Sequence, residues 1–175
     1  MIIKKIIVGH LEANCYLVAD NKTKETIIID PGDDFQFIFN AVKEYGLSPR
    51  FILLTHRHPD HAGALKKIKE NFNIKCLDVE DGDELKIGNL KITVIATQGH
   101  SEESVCFVVD NSIFSGDTLF KGGIGRTDLE GGDYNKIQKS LKRLMEFLDN
   151  VKIFPGHGPE TTIGNERKNN PFLKF

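Results

Sequence analysis

Short runs of β-branched and apolar residues alternate along the chain with stretches in which apolar positions recur every three or four residues. That pattern predicts strands interleaved with helices. The first thirty residues read as strands over 2–8, 15–19 and 26–29, with Asp20-Asn21-Lys22 as a hairpin turn and Asp30-Pro31-Gly32 closing the third. Phe35, Ile38, Phe39, Val42 and Tyr45 follow helical spacing, with Asp33 or Asp34 as the expected N-terminal cap and Gly46 as the stop. Residues 51–54 are apolar on both faces, as in a strand buried between layers. Leu65, Ile68 and Phe72 give a second helical stripe, starting near Ala62-Gly63, followed by a short strand over 74–77 and an acidic turn over 78–83.

Further on, a strand is expected over 90–95 and a hairpin from 104–109 and 113–115 around Asp110-Asn111. Six glycines fall between Gly116 and Gly132, which predicts a loop that turns sharply or approaches something closely. Asp133 can cap the longest helix, whose face carries Tyr134, Ile137, Leu141, Leu144, Met145 and Leu148. A last strand over 151–154 and a capped short helix over 161–166 complete the pattern. No linker or repeat interrupts it, and 175 residues suit a single domain over 1–175 with its own core.

Composition narrows the function classes. The chain is 39% apolar and 27% charged with a formal charge of −2, and its lysines are scattered, so no nucleic-acid partner is expected. The longest apolar run, 105–109, is too short to span a bilayer, and Met1-Ile2-Ile3-Lys4-Lys5 lacks the arrangement of a secretory signal. The expectation is a cytoplasmic protein with no membrane partner. Cys15, Cys76 and Cys106 form no C-x-x-C pair and read as small hydrophobes, two of them inside apolar runs.

The chemistry concentrates after the strand over 51–54. Thr55-His56-Arg57-His58-Pro59-Asp60-His61 places three imidazoles and a carboxylate in seven positions, and neutral imidazole is the commonest protein metal ligand. Three further predicted strands end in a potential donor: His100, Asp117 and His157. His10, by contrast, has no second donor near it in sequence and reads as a loop histidine. Seven donors exceed what one tetrahedral ion uses, so two metals are implied, or one with spare donors. In an extended loop residues two apart point the same way, so His56 and His58 can grip one ion while Asp60 and His61 turn to a neighbour. Asp117 is then the natural bridge, with His56, His58 and His100 on one metal and Asp60, His61 and His157 on the other. The expected nucleophile is a bridging hydroxide held with Asp60 and Asp117.

The pattern Thr55-His-x-His-x-Asp-His61 followed by His100, Asp117 and His157 resembles the metallo-β-lactamase superfamily. Ala13-Asn14-Cys15-Tyr16, Ile29-Asp30-Pro31-Gly32, Gly116-Asp117-Thr118-Leu119-Phe120, Gly125-Arg126-Thr127-Asp128 and Pro155-Gly156-His157-Gly158-Pro159 look like its glyoxalase II (hydroxyacylglutathione hydrolase) branch, in particular short single-domain bacterial members. The resemblance implies a four-layer αββα sandwich with the metal site at one rim of its two sheets. It also implies hydrolysis of thioesters such as S-D-lactoylglutathione, with an acyl-thiol as the small-molecule partner. Two divalent ions are implied, zinc first, with iron or manganese as alternatives. Arg126 matches by position a basic residue that binds the glutathione carboxylate in longer family members, and the site's balance of charge, counting Asp60 and Asp117, is +1, which would attract anions. The alternatives within the superfamily are a persulfide dioxygenase with one iron at His56, His100 and Asp117, and a hydrolase of broader specificity. A β-lactamase proper fits less well, because a carboxylate at Asp117 is not usual there.

Overall fold

The computed structural model describes residues 1–174. The first half of the chain runs β1 (Ile2–Val8), β2 (Ala13–Ala19), β3 (Glu25–Ile29), α1 (Phe35–Glu44), β4 (Ser48–Leu53), α2 (Pro59–Ala62), α3 (Leu65–Phe72) and β5 (Lys75–Cys76). Its strands form one sheet in chain order, antiparallel from β1 to β3 and parallel from β3 to β5. The second half runs β6 (Glu84–Ile87), β7 (Leu90–Ala96), β8 (Val105–Val109), β9 (Ser112–Gly116), β10 (Leu119–Phe120), β11 (Gly123–Ile124), α4 (Tyr134–Leu144), β12 (Lys152–Pro155), β13 (Thr161–Thr162) and α5 (Ile163–Asn169), then a 3-10 turn at Pro171–Leu173. Here the sheet order is β13-β12-β9-β8-β7-β6, with β12 and β9 parallel, while β10 and β11 pair separately.

Side-chain alternation explains why several strands are apolar on both faces. In β2, Tyr16 and Val18 point between the sheets, where they meet Ile27, Ile29 and Leu53 of their own sheet and Ile92, Val94, Phe107, Phe114 and Phe154 of the other. Cys15, Leu17 and Ala19 point the opposite way and pack with Ile28 and Ile52 against Ile38 and Val42 of α1 and Ile68 of α3. The outer face of the second sheet does the same: Ile95, Cys106, Ile113 and Ile153 meet Ile137, Leu141 and Leu144 of α4 and Ile163 of α5. The result is the expected αββα sandwich, with three apolar layers. Burying each such Ile, Leu or Phe contributes about 1.5–3 kcal/mol, so neither sheet has a spare face. Cys15 and Cys106 are buried as expected, and Cys76 is partly so.

Several local expectations are corrected. Asp34 sits at the N-cap of α1 but in the left-handed region, φ 47°, and its side chain does not cap the helix. Its Oδ2 instead accepts from Gly9 N at 2.8 Å, a tertiary bond that wins over the local one. The long helix ends at Leu144, so Leu148 lies beyond it and is 74% exposed, and Tyr134 at the first turn is 55% exposed. Strand β6 follows the acidic turn where none was expected, held by pairing with β7. The glycine-rich loop contains the β10–β11 hairpin. Asp133 does cap α4, accepting from Lys136 N at 2.9 Å, and Thr162 caps α5, accepting from Asn165 N at 3.1 Å.

One glycine fixes how the first sheet meets the helical turn α2. A Cβ on Gly32 would lie 1.6 Å from the carbonyl oxygen of Asp60. The backbone after β3 is therefore in direct contact with the backbone that carries Asp60 and His61.

Candidate metal centre

Five strands run out at one edge of the sandwich, and each hands over to a donor-bearing residue: β3 to Asp30, β4 to 55–61, β7 to His100, β9 to Asp117 and β12 to His157. Carboxyl ends of strands are where α/β sheets place ligands, because the connecting loops are free there. Backbone bonds lock the loops of the two sheets together, with Val105 N donating to Thr55 O at 2.8 Å, Gly156 N to Gly116 O at 2.8 Å and Asn14 N to Gly156 O at 2.7 Å. The stretch after β4 is not extended throughout as expected. Pro59 opens α2, and its fixed φ suits the first helical position, so Asp60 and His61 project from a helical turn. That turn buries His61 completely while His58 stays half-buried.

The donor atoms fall into groups that each span no more than 4.8 Å: His56, His58 and His100; Asp60, His61 and His157; and His56, His61 and Asp117. Within the first, His58 Nδ1 lies 3.0 Å from His100 Nε2. Within the second, His157 Nε2 lies 3.2 Å from Asp60 Oδ2 and 3.3 Å from His61 Nε2. Asp117 stands between them, its Oδ1 3.3 Å from His61 Nε2 and its Oδ2 3.6 Å from His100 Nε2 and 3.7 Å from His157 Nε2. His56 Nε2 and Asp117 Oδ1 are buried without a hydrogen-bond partner. Buried polar atoms normally have one, so two orphaned donors converging among five others fit a divalent cation site.

The far sides of the rings explain the aim of the near sides. His61 Nδ1 donates to Asp30 Oδ2 at 3.0 Å, because a carboxylate only accepts. Asp30 also accepts from Thr55 N at 2.7 Å and from Thr55 Oγ1 at 2.6 Å. With its proton given to Asp30, the Thr55 hydroxyl is an acceptor for His56 Nδ1 at 3.1 Å. His100 Nδ1 donates to Arg126 O at 2.9 Å, and His157 Nδ1 to Leu11 O at 3.0 Å. Each partner fixes a tautomer, leaving Nε2 of four histidines facing the cluster. His58 presents Nδ1 instead.

Charge within the cluster is unevenly held in the metal-free chain. Burial, then repulsion from His61, pushes His56 down to about 2, so it is neutral and a competent ligand. His58 is lowered by burial and by His100. Burial also disfavours a charged His61, but the Asp117 and Asp30 carboxyl groups facing its two nitrogens outweigh it and raise the ring to about 10. Asp60 is held below the usual carboxylate range by its bond to His157, which is raised in return by Asp60. Metal uptake at such a site displaces the His61 proton and becomes easier as pH rises.

The structure thus brings all seven sequence-predicted donors together. It places Arg126 differently from a free carboxylate receptor: its Nε and Nη2 bond Asp128 at 2.8 and 2.7 Å, and its backbone oxygen serves His100. Sequence reasoning took Asp30 only as part of a turn and missed its orienting role. The available signal was a carboxylate directly after the apolar strand β3, the same arrangement that marks the other donors. Asp30 adds a buried carboxyl group behind His61 that the count of +1 did not include.

A family model described as the metallo-beta-lactamase superfamily matches residues 8–77 and 74–157. The probable metallo-hydrolase YqgX of Bacillus subtilis is 35% identical, over 97% of this chain and 96% of that protein. The hydroxyacylglutathione hydrolase GloC of Haemophilus influenzae is 31% identical, over 99% of this chain and 98% of its own length. Among solved structures, the BLEG-1 B3 metallo-beta-lactamase superposes with a TM-score of 0.92 at 32% identity, covering 99% of this chain and all (100%) of that one. TTHA1623 in a di-iron-bound form gives 0.90 at 32%, covering 97% and 100%. With the sandwich, the donors at its edge and these likenesses in agreement, the chain belongs to the metallo-beta-lactamase superfamily.

Proposed function

We propose that the chain is a dinuclear metal-dependent hydrolase whose substrates are thioesters, S-D-lactoylglutathione or a related acyl-thiol among them. The observation that supports this most is the grouping of seven donors into two triads with Asp117 between them. His56, His58 and His100 would hold one ion, Asp60, His61 and His157 the other, and Asp117 would bridge. Likeness to a hydroxyacylglutathione hydrolase along nearly the whole chain supports the substrate class. Zinc suits the donors and is proposed first, and the di-iron form of a similar protein supports iron as the alternative.

When bound, two divalent ions supply a nucleophile at neutral pH and neutralise charge developing on a carbonyl oxygen. The chain's own residues supply the rest. Asp30, Thr55, Leu11 O and Arg126 O hold the imidazoles in their ligating tautomers. Asp60 and Asp117, both held below the usual carboxylate range, supply the negative charge of the centre. A thiolate leaves with a conjugate-acid pKa of about 8.5, so no further acid is needed near the sulfur. Openings beside the centre include one of about 300 Å³ next to Asp60, lined by Val8, His10 and Leu11, and one of about 450 Å³ next to His58, lined by Arg57, Glu102, Glu103 and Glu130. Acyl and thiol arms have room there, and the mixed charge of the second opening, three glutamates with Arg57, makes the charge of the thiol a variable to test.

The test is elemental analysis of the isolated protein together with thiol release from S-D-lactoylglutathione and from an uncharged N-acetylcysteamine thioester. We expect two metals per chain and thiol release that is abolished by a chelator and restored by metal. Nitrocefin turnover, or oxygen uptake with glutathione persulfide, in the absence of thiol release would overturn the proposal.

A further inference from the structure

The β10–β11 hairpin has only two residues in each strand, which is too little to hold its shape unaided. Its two feet touch the metal centre. Asp117 stands two residues before β10, and Arg126, whose carbonyl accepts from His100 Nδ1 at 2.9 Å, stands two residues after β11. Between them Gly125 leaves no room for error: a Cβ there would be 1.8 Å from Asp117 O and 3.1 Å from His100 Cβ. The Phe120 ring stands edge-on to His157, centroids 6.3 Å apart. Anything that fixes the hairpin therefore fixes the surroundings of three donors.

What fixes its tip lies far along the chain. Glu166 of α5 is fully buried, and four donors converge on it: Thr161 Oγ1 at 2.6 Å and Asn165 Nδ2 at 2.7 Å on Oε1, Gly122 N at 2.7 Å and Asn170 Nδ2 at 2.9 Å on Oε2. Asn170, also buried, reaches on to Gly123 O at 3.1 Å. The two side chains thus hold both Gly122 and Gly123 at the turn of the hairpin. Burying a carboxylate is costly unless its lone pairs are used, and here donors fill both oxygens. An amide at 166 would turn its N–H toward one donor pair, either Thr161 and Asn165 or Gly122 and Asn170, so the clasp loses its acceptor on one side.

We propose that Glu166, assisted by Asn170, is a positioning residue for the metal centre: by clasping the β10–β11 turn it sets Asp117 and the carbonyl that aims His100. This rests on the ligand assignment made above. Altering a group that orients a ligand typically weakens metal affinity about 10- to 100-fold, and an effect of that order is expected here although the clasp acts through the hairpin.

The test uses metal-loaded wild type, Glu166→Gln and Asn170→Ala. Metal release into excess chromogenic chelator is followed in time, and urea denaturation is measured on the metal-free proteins. We expect release of the ion held with His100 to quicken by roughly tenfold or more, and kcat to fall more than KM rises. Unchanged release in both variants, with only a lower denaturation midpoint, would make the clasp purely structural and overturn the inference. Should Glu166→Gln not fold, Asn170→Ala carries the test alone, since it removes the Gly123 link and leaves the carboxylate in place. A wild-type chain that takes up no metal overturns the ligand assignment as well, which separates the two failures.

Discussion

Replacing Asp30 by Asn keeps the size of a side chain that is 2% exposed and changes only its hydrogen-bond character. The amide can sit in two ways. With its oxygen on Thr55 N, its NH2 group faces Thr55 Oγ1 and His61 Nδ1, where Oδ2 stood 2.6 and 3.0 Å away. The Thr55 hydroxyl can accept from the amide, but turning its own proton toward His56 Nδ1 would force that ring's proton onto Nε2 as well. His61 can adapt only by accepting on Nδ1, which moves its proton to Nε2, the atom aimed at Asp60, Asp117 and His157. Turned the other way, the amide sets N–H against the Thr55 N–H that Asp30 Oδ1 met at 2.7 Å. That orphans a buried backbone donor at about 1–3 kcal/mol.

Opposing this, loss of Asp30 removes one of the carboxylates that hold the His61 proton up to about 10, which eases metal uptake near neutral pH. The two effects separate by pH. Proton competition at a group whose pKa is raised fades as pH rises toward that value, whereas a wrong tautomer persists. Asp30→Asn should therefore bind the metal held with His61 about 10- to 100-fold more weakly, about 1.4–2.8 kcal/mol. Its deficit should be larger at about pH 9 than at about pH 7. Competition titration against a chelating indicator measures it, with Asp34→Asn, at an exposed tertiary acceptor for Gly9 N, as the control. Wild-type affinity for both metals in Asp30→Asn would refute the tautomer argument.

Two other predictions follow from the same geometry. Asp117→Ala should lose far more metal than His10→Ala, because Asp117 approaches three imidazoles while His10 is not among the grouped donors; equal metal content by elemental analysis would sink the bridging role. Asp20 accepts from the backbone of Thr23, Asn89 and Lys22, joining the ends of the two sheets, and these donors hold its carboxyl below its ordinary 3.8. A depressed carboxyl stabilises the fold above its unfolded value and ceases to as pH falls through the folded one. Asp20→Asn should be less stable than wild type near neutrality, and the gap in urea midpoints should narrow below about pH 4. A gap that stays constant on acidification would show that the carboxylate charge is not what holds the joint.

The sequence by itself determined the donor set and most of the elements, while the four-layer order was implied by the resemblance to a known superfamily. One apolar run with no polar face, 51–54, announced a strand covered on both sides, and a His or Asp after strand upon strand announced one crowded edge. Those signals are local, since each lies within a few residues of the element it describes. Tertiary structure decided what depends on distant partners. Asp34 abandons its helix for Gly9, β6 exists through its pairing with β7, and α2 turns His61 inward against Asp30. The β10–β11 hairpin stands on a clasp 44 residues away. Which nitrogen of His56, His61, His100 and His157 faces the cluster was decided by Thr55, Asp30, Arg126 O and Leu11 O. Two of those four are backbone carbonyls, which every residue carries, so no pattern of side chains could have marked them.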